Sequence, residues 1–78
     1  MDGTVVVGRD PDSDVRLVDS RVSRRHAEIR TIDGEAMLID LGSTNGTFLN
    51  GEPVSCAGLV DGDAVLIGGV ELRFRVGS

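Results

Sequence analysis

Turn-forming dipeptides recur so often in this chain that no long element fits between them. Asp33-Gly34, Asn45-Gly46, Asn50-Gly51, Asp61-Gly62 and Gly68-Gly69 each supply residues that tolerate positive φ, as tight β-turns require. The segments they separate have β-type patterning. Val70 to Val76 alternates apolar and charged residues strictly, the signature of a strand with one buried face. Ala64 to Ile67 precedes it across Gly68-Gly69, which predicts a hairpin, and His26 to Ile32 with Glu35 to Asp40 predict a second around Asp33-Gly34. Thr4 to Val7, Val15 to Val18 and Thr47 to Leu49 complete a set of short strands. No window has helical amphipathicity, so the chain is expected to be all-β, a sandwich or a barrel.

The 78 residues leave room for one domain, taken as residues 1–78. A chain of this size buries about 60% of its unfolded surface, so modest stability is expected. The 40% of hydrophobic residues suffices for a core and excludes general disorder. Phe48 and Phe74 are the only aromatics, so Val, Leu and Ile must fill most of that core. Cys56 is the sole cysteine, which excludes an intramolecular disulfide and suits a reducing compartment. One histidine and one cysteine cannot make a zinc site without carboxylates, and no metal or cofactor is expected. Residues 1–9 lack the basic start and apolar run of a signal peptide. No stretch approaches the roughly 18 apolar residues of a membrane span. A soluble cytoplasmic domain is expected.

The net charge is −5, yet all eight basic residues are arginine, and Arg21, Arg24, Arg25 and Arg30 fall close together with only Glu28 to oppose them. Such a cluster on an acidic chain fits a local anionic ligand better than a long polyanion. Charge alone fits a solvated arginine face equally well. Nucleic acid is a poor partner, since the net charge has the wrong sign and no aromatic lies among the arginines for base stacking. Asp10, Asp12 and Asp14 lack the glycine and distal glutamate of a calcium loop and are read as a solvated turn around Pro11.

Three polar clusters fall between the expected strands: Gly8-Arg9, the run Arg21 to His26, and the run Gly42 to Thr47. Arginine presents a planar fork of donors matched to phosphate oxygens. Serine and threonine add hydroxyl donors, and glycine lets backbone N–H groups approach an anion. Ser23, His26 and Asp40 could suggest a hydrolytic triad. However, Ser23 and His26 stand three residues apart across a loop-to-strand join, and there is no Gly-x-Ser-x-Gly elbow. His26 is read instead as a structural histidine bonded to loop backbone, and the chain as a non-enzyme.

Taken in order, Gly8-Arg9, Ser23-Arg24-Arg25-His26, Ser43-Thr44-Asn45-Gly46-Thr47, Asn50-Gly51, Asp61-Gly62-Asp63 and Ile67-Gly68 resemble the forkhead-associated (FHA) domain, a match running from Val5 to Val76. The resemblance implies an eleven-stranded β-sandwich of two mainly antiparallel sheets, whose loops at one end bind phosphothreonine peptides without altering them. Carried over by position, it implies that Arg9 and Ser23 bind the phosphate and that Arg24 assists. Thr44 would shape the pocket around the phosphothreonine and its γ-methyl. Asn45 would hold the peptide backbone, and Arg21 would face residues C-terminal to the phosphothreonine. Gly8, His26, Gly46 and Asn50 would shape the loops. The implied partner is a phosphothreonine-bearing protein, a Ser/Thr kinase or its substrate.

The resemblance departs at the N-terminus. Family members usually carry two strands before Gly-Arg, and only seven residues precede Gly8 here. In the family fold the opening strand lies beside the final one. The strand at Val70 to Val76 is therefore expected to present an open edge, through which the chain self-associates or which leaves it unusually unstable.

Overall fold

The computed structural model describes residues 2–77. Nine strands follow one another: β1 (Gly3–Gly8), β2 (Val15–Arg16), β3 (Ala27–Ile32), β4 (Glu35–Asp40), β5 (Thr47–Leu49), β6 (Glu52–Pro53), β7 (Cys56–Leu59), β8 (Ala64–Ile67) and β9 (Val70–Arg73). They form a five-stranded sheet ordered β2-β1-β3-β4-β7 and a four-stranded sheet ordered β6-β5-β8-β9. Every pairing is antiparallel except that of β1 with β2. Among the described residues there are nine strands where the resemblance implied eleven, and one of them, β1, precedes Arg9.

Three two-residue turns set the registers. Asp33 (φ 51°) and Gly34 (φ 80°) close β3 onto β4 with Ile32 opposite Glu35, and Asn50 (φ 50°) and Gly51 (φ 87°) close β5 onto β6 with Leu49 opposite Glu52. Positive φ at both central residues matches the right-handed twist of the flanking strands, which is why Asp-Gly and Asn-Gly occupy these positions. Gly68-Gly69 joins β8 to β9 with Ile67 opposite Val70.

Two strands, β6 and β7, were not expected. β9 also ends at Arg73 rather than continuing to Val76. Phe74 donates its N–H to Asp63 and accepts from Gly62, both at 2.8 Å, so two residues of the preceding loop face one on this strand. An extra residue on one side of a ladder bends it and ends regular pairing.

The sheets meet over Val7, Ala27, Leu38, Leu59, Val65 and Ile67, with Val22 added from the loop before β3. All seven are aliphatic, as the shortage of aromatics requires. Phe74 is only partly buried and packs against this core just past the end of β9. Antiparallel order brings the C-terminal ends of β1, β4 and β8 to the same end as the N-terminal ends of β3 and β5. The loops that carry the polar clusters therefore share one end of the sandwich.

Candidate functional site

The first loop is held against the second by backbone. Arg9 donates its N–H to the Ser23 carbonyl at 3.0 Å, Asp10 donates to the Arg24 carbonyl at 3.1 Å, and His26 donates to the Val7 carbonyl at 3.0 Å. Gly8 makes this approach possible, since a Cβ there would overlap the backbone carbonyl of Arg24. The Arg9 side chain is pinned as well: its Nε donates to the Val22 carbonyl at 3.0 Å. Among the described residues no carboxylate lies within 4.0 Å of its guanidinium.

His26 ties the second loop to the third. Its ring is fully buried. Nδ1 accepts the Ser23 N–H at 3.0 Å, and Nε2 lies 2.8 Å from the Gly46 carbonyl. Because Nδ1 accepts, the proton belongs on Nε2, which donates to that carbonyl. Neither ring nitrogen is left for the Ser23 hydroxyl or for Asp40, so the three residues do not form a triad.

Asp40 is fully engaged elsewhere. Its carboxylate accepts N–H groups from Gly42 at 2.8 Å and Ser43 at 2.9 Å, and hydroxyls from Ser43 and Thr47 at 2.6 Å each. Burial works to raise this carboxyl. The bonds from Ser43, Thr47 and Gly42 together outweigh burial and hold it below the ordinary carboxylate range. Ser43 in turn accepts the Gly46 N–H at 3.0 Å. The third loop is thus wrapped around one carboxylate.

Within this frame the Ser23 hydroxyl accepts the Thr44 N–H at 3.1 Å, which leaves its own proton to be donated outward. Asn45 donates its side-chain amide to the Arg21 carbonyl at 2.8 Å, leaving its amide oxygen and second amide hydrogen. The Arg21 guanidinium forks onto Asp19 at 3.1 and 3.0 Å and lies over Gly69, where a Cβ would overlap it. Arg9, Arg21, Arg24, Thr44 and Asn45 are exposed, and Ser23 is half-buried.

Nine of the ten sequence-derived site residues are therefore joined through these three loops. Asn50 stands apart, at the far end of β5. There its side chain donates to Asp63 at 3.0 Å and accepts from Ala64 at 2.9 Å, fixing the turn into β6 against the start of β8. Sequence reasoning quoted Ser43 within its motif but gave it no role, cast Asp40 only as a triad acid and did not single out Arg16. The spacing Asp40-x-Gly42-Ser43 is a signal for a carboxylate that bonds backbone two and three residues on. Arg16 joins Arg9 and Arg24 in lining a polar cleft of about 450 Å³.

The family model described as the FHA domain matches residues 5–68. The chain belongs to the FHA family. FHA domains are non-catalytic modules that bind phosphothreonine peptides, and this one is similar to proteins named as a regulator and as an inhibitor. It is 53% identical over 74 residues to the glycogen accumulation regulator GarA of Mycolicibacterium smegmatis, covering 95% of this chain and 47% of that protein. It is 46% identical over 74 residues to an oxoglutarate dehydrogenase inhibitor of Corynebacterium glutamicum, covering 95% of this chain and 52% of the other. The chain thus spans about half the length of these relatives. A structure described as a structural and functional analysis of phosphothreonine-dependent FHA domain interactions superposes with a TM-score of 0.94 at 44% identity, covering 100% of this chain and 81% of that one. The N-terminal FHA domain of Saccharomyces cerevisiae Rad53p, in complex with a phosphothreonine peptide, superposes with a TM-score of 0.87 at 36% identity, covering 96% and 68%. Among the described residues no helix is long and apolar enough to cross a membrane.

Proposed function

We propose that this FHA domain binds a phosphothreonine peptide across its three joined loops and releases it unaltered. Arg9 and the Ser23 hydroxyl take the phosphate, and Arg24 assists through its backbone N–H and side chain. Thr44 shapes the niche for the γ-methyl, Asn45 holds the peptide backbone, and Arg21 faces residues C-terminal to the phosphothreonine. Gly8, His26 and Gly46 keep the loops in place, while Asn50 shapes a turn outside the site. The observation that carries this reading is the Arg9–Ser23 pair. A guanidinium without a carboxylate partner is locked by the Val22 carbonyl, beside a hydroxyl whose acceptor side is already taken by Thr44. Two donors held in advance suit a dianionic ligand at little cost in lost side-chain freedom.

The partner is a phosphothreonine-bearing protein, a Ser/Thr kinase or one of its substrates, met in the cytoplasm. Relatives named as a regulator and as an inhibitor support control of that partner by binding rather than by catalysis. Titration calorimetry with matched peptides tests the reading. Removing the phosphate should weaken binding at least about a hundredfold, because two or more charge-assisted hydrogen bonds are lost. Similar affinities with and without phosphate would overturn it.

A second contact is favoured by β9, which is bonded to β8 on one side and has no described strand on the other. Phe74 bonds toward Asp63, so by alternation the backbone groups of Glu71 and Arg73 point to the open side. Two copies can pair antiparallel there around Leu72, which sets Glu71 against Arg73 of the other copy on both sides of the axis. The chain is therefore proposed to self-associate through this edge.

A further inference from the structure

The eight arginines divide into two groups. Arg21, Arg30, Arg73 and Arg75 each lie within 4.0 Å of a carboxylate. Among the described residues Arg9, Arg16, Arg24 and Arg25 do not, although the chain carries 13 acidic residues. Three of these four, Arg9, Arg16 and Arg24, line the same polar cleft. The one carboxylate there, Asp10, turns an oxygen to the Asp12 N–H at 2.9 Å.

Arg16 reaches this cleft through the one parallel pairing of the fold. β2 runs alongside β1 with Arg16 opposite Gly8, and Leu17 donates to the Gly8 carbonyl at 2.9 Å. The Arg16 side chain then turns toward the first loop, where its Nε lies 3.4 Å from the Arg9 carbonyl. Among the described residues no carboxylate comes within 4.0 Å of these three guanidiniums, Asp10 included, so they repel one another, and an anion in their midst removes that repulsion. A phosphothreonine dianion carries about −1.5 to −2 charges, which matches Arg9 with Arg24 and leaves Arg16 unmatched.

We propose that Arg16 is the head of a second anion subsite that takes another phosphate on the same peptide, close to the phosphothreonine. The proposal rests on the phosphothreonine reading above and deepens it, making the domain a reader of doubly phosphorylated segments. An acidic side chain offers weaker versions of the same contacts, so it is the alternative source of the anion.

The test starts from pools degenerate around one fixed phosphothreonine. The best binder is resynthesised with a second phosphothreonine, or with aspartate, at each neighbouring position in turn. At one position or more the second phosphate should tighten binding about tenfold, the size of one added charge-assisted contact. Arg16→Ala should erase that gain while keeping the singly phosphorylated peptide within about twofold of the parent, and Arg16→Lys should keep part of the gain. Gain from aspartate of the same size, also lost in Arg16→Ala, would assign the subsite to acidic peptides. If single phosphates bind well but no second anion adds affinity, or if the gain survives Arg16→Ala, the subsite is wrong and the phosphothreonine reading stands. If phosphate never matters, both fall.

Discussion

His26 holds Ser23 by its backbone, with the Ser23 N–H 3.0 Å from Nδ1, and the same ring carries the Gly46 carbonyl on its other nitrogen. One buried side chain thus spans two binding loops. His26→Ala should remove both bonds and leave a cavity, at a cost of about 2–4 kcal/mol in urea denaturation. Phosphopeptide affinity should fall as well under conditions where the variant is folded, since Ser23 is no longer positioned. Parental stability in the variant would show that the ring is dispensable to the frame.

Arg9 makes the opposite kind of contribution. It is exposed, and among the described residues its one side-chain bond is to the Val22 carbonyl. Arg9→Ala should leave the melting temperature nearly unchanged and weaken phosphopeptide binding by about a hundredfold or more. Arg9→Lys should restore only part, because an ammonium lacks the bidentate fork. Calorimetric titration beside thermal melting separates the two effects, and full affinity in Arg9→Ala would remove Arg9 from the site.

The glycine at position 8 is required by backbone, not by flexibility. A Cβ there meets the carbonyl of Arg24, which cannot swing aside as a side chain could. Gly8→Ala should therefore push the first two loops apart and destabilise the fold by about 1–3 kcal/mol. Gly3→Ala is the control, because nothing lies within 4 Å of the added carbon. Equal melting temperatures for the two variants would contradict this account.

Much of this was legible in the sequence, and the parts that were not share a cause. Asp33-Gly34 and Gly68-Gly69 announced their hairpins because turn chemistry is local. The β7 segment Cys56-Ala57-Gly58-Leu59 has neither alternation nor β-branched residues, and it is a strand because β4 offers an edge, with Ala36 to Ile39 facing it. Arg9, Ser23, Thr44 and Asn45 could be named from the order of motifs. Arg16 could not, since only the parallel pairing of β2 with β1 carries it to the Gly8-Arg9 loop. Pairing partners are a tertiary property, and motifs do not report them.

Acid should loosen the third loop. The Asp40 carboxyl is held below its ordinary value of 3.8 by the balance described above. Its folded pKa is depressed relative to the unfolded chain, so folding releases protons at acidic pH. The stability it contributes is complete above the unfolded value and is lost as pH falls through 3.8 toward the lower folded value. Asp19 and Asp63 are shifted in the same direction, by their bonds to Arg21 and to Val60 and Asn50 respectively. Asp40→Asn should be less stable than the parent at neutral pH, and the gap should narrow on acidification. A gap that stays constant between pH 7 and pH 3 would mean that Asp40 does not titrate with folding.

The open edge of β9 gives the last prediction. Glu71 and Arg73 are exposed on one face, 3.9 Å apart across their charged atoms, with Leu72 between them turned toward the core side. Antiparallel pairing around Leu72 sets Glu71 of each copy opposite Arg73 of the other. It also sets Val70 opposite Phe74, over an apolar cleft of about 220 Å³ lined in part by Val15, Ile29 and Phe74. Each favourable cross-strand pair contributes roughly 0.2–1 kcal/mol, so the association should be weak and dependent on concentration. Light scattering over a concentration series should show a monomer–dimer equilibrium. Glu71→Arg should abolish it by placing arginines opposite one another, and the double change Glu71→Arg with Arg73→Glu should restore it. Restoration separates strand pairing from general stickiness, which a charge swap would not rescue. A parent protein that stays monomeric at every concentration would rule the contact out, leaving Arg73 and Arg75 as charges that keep this edge from pairing.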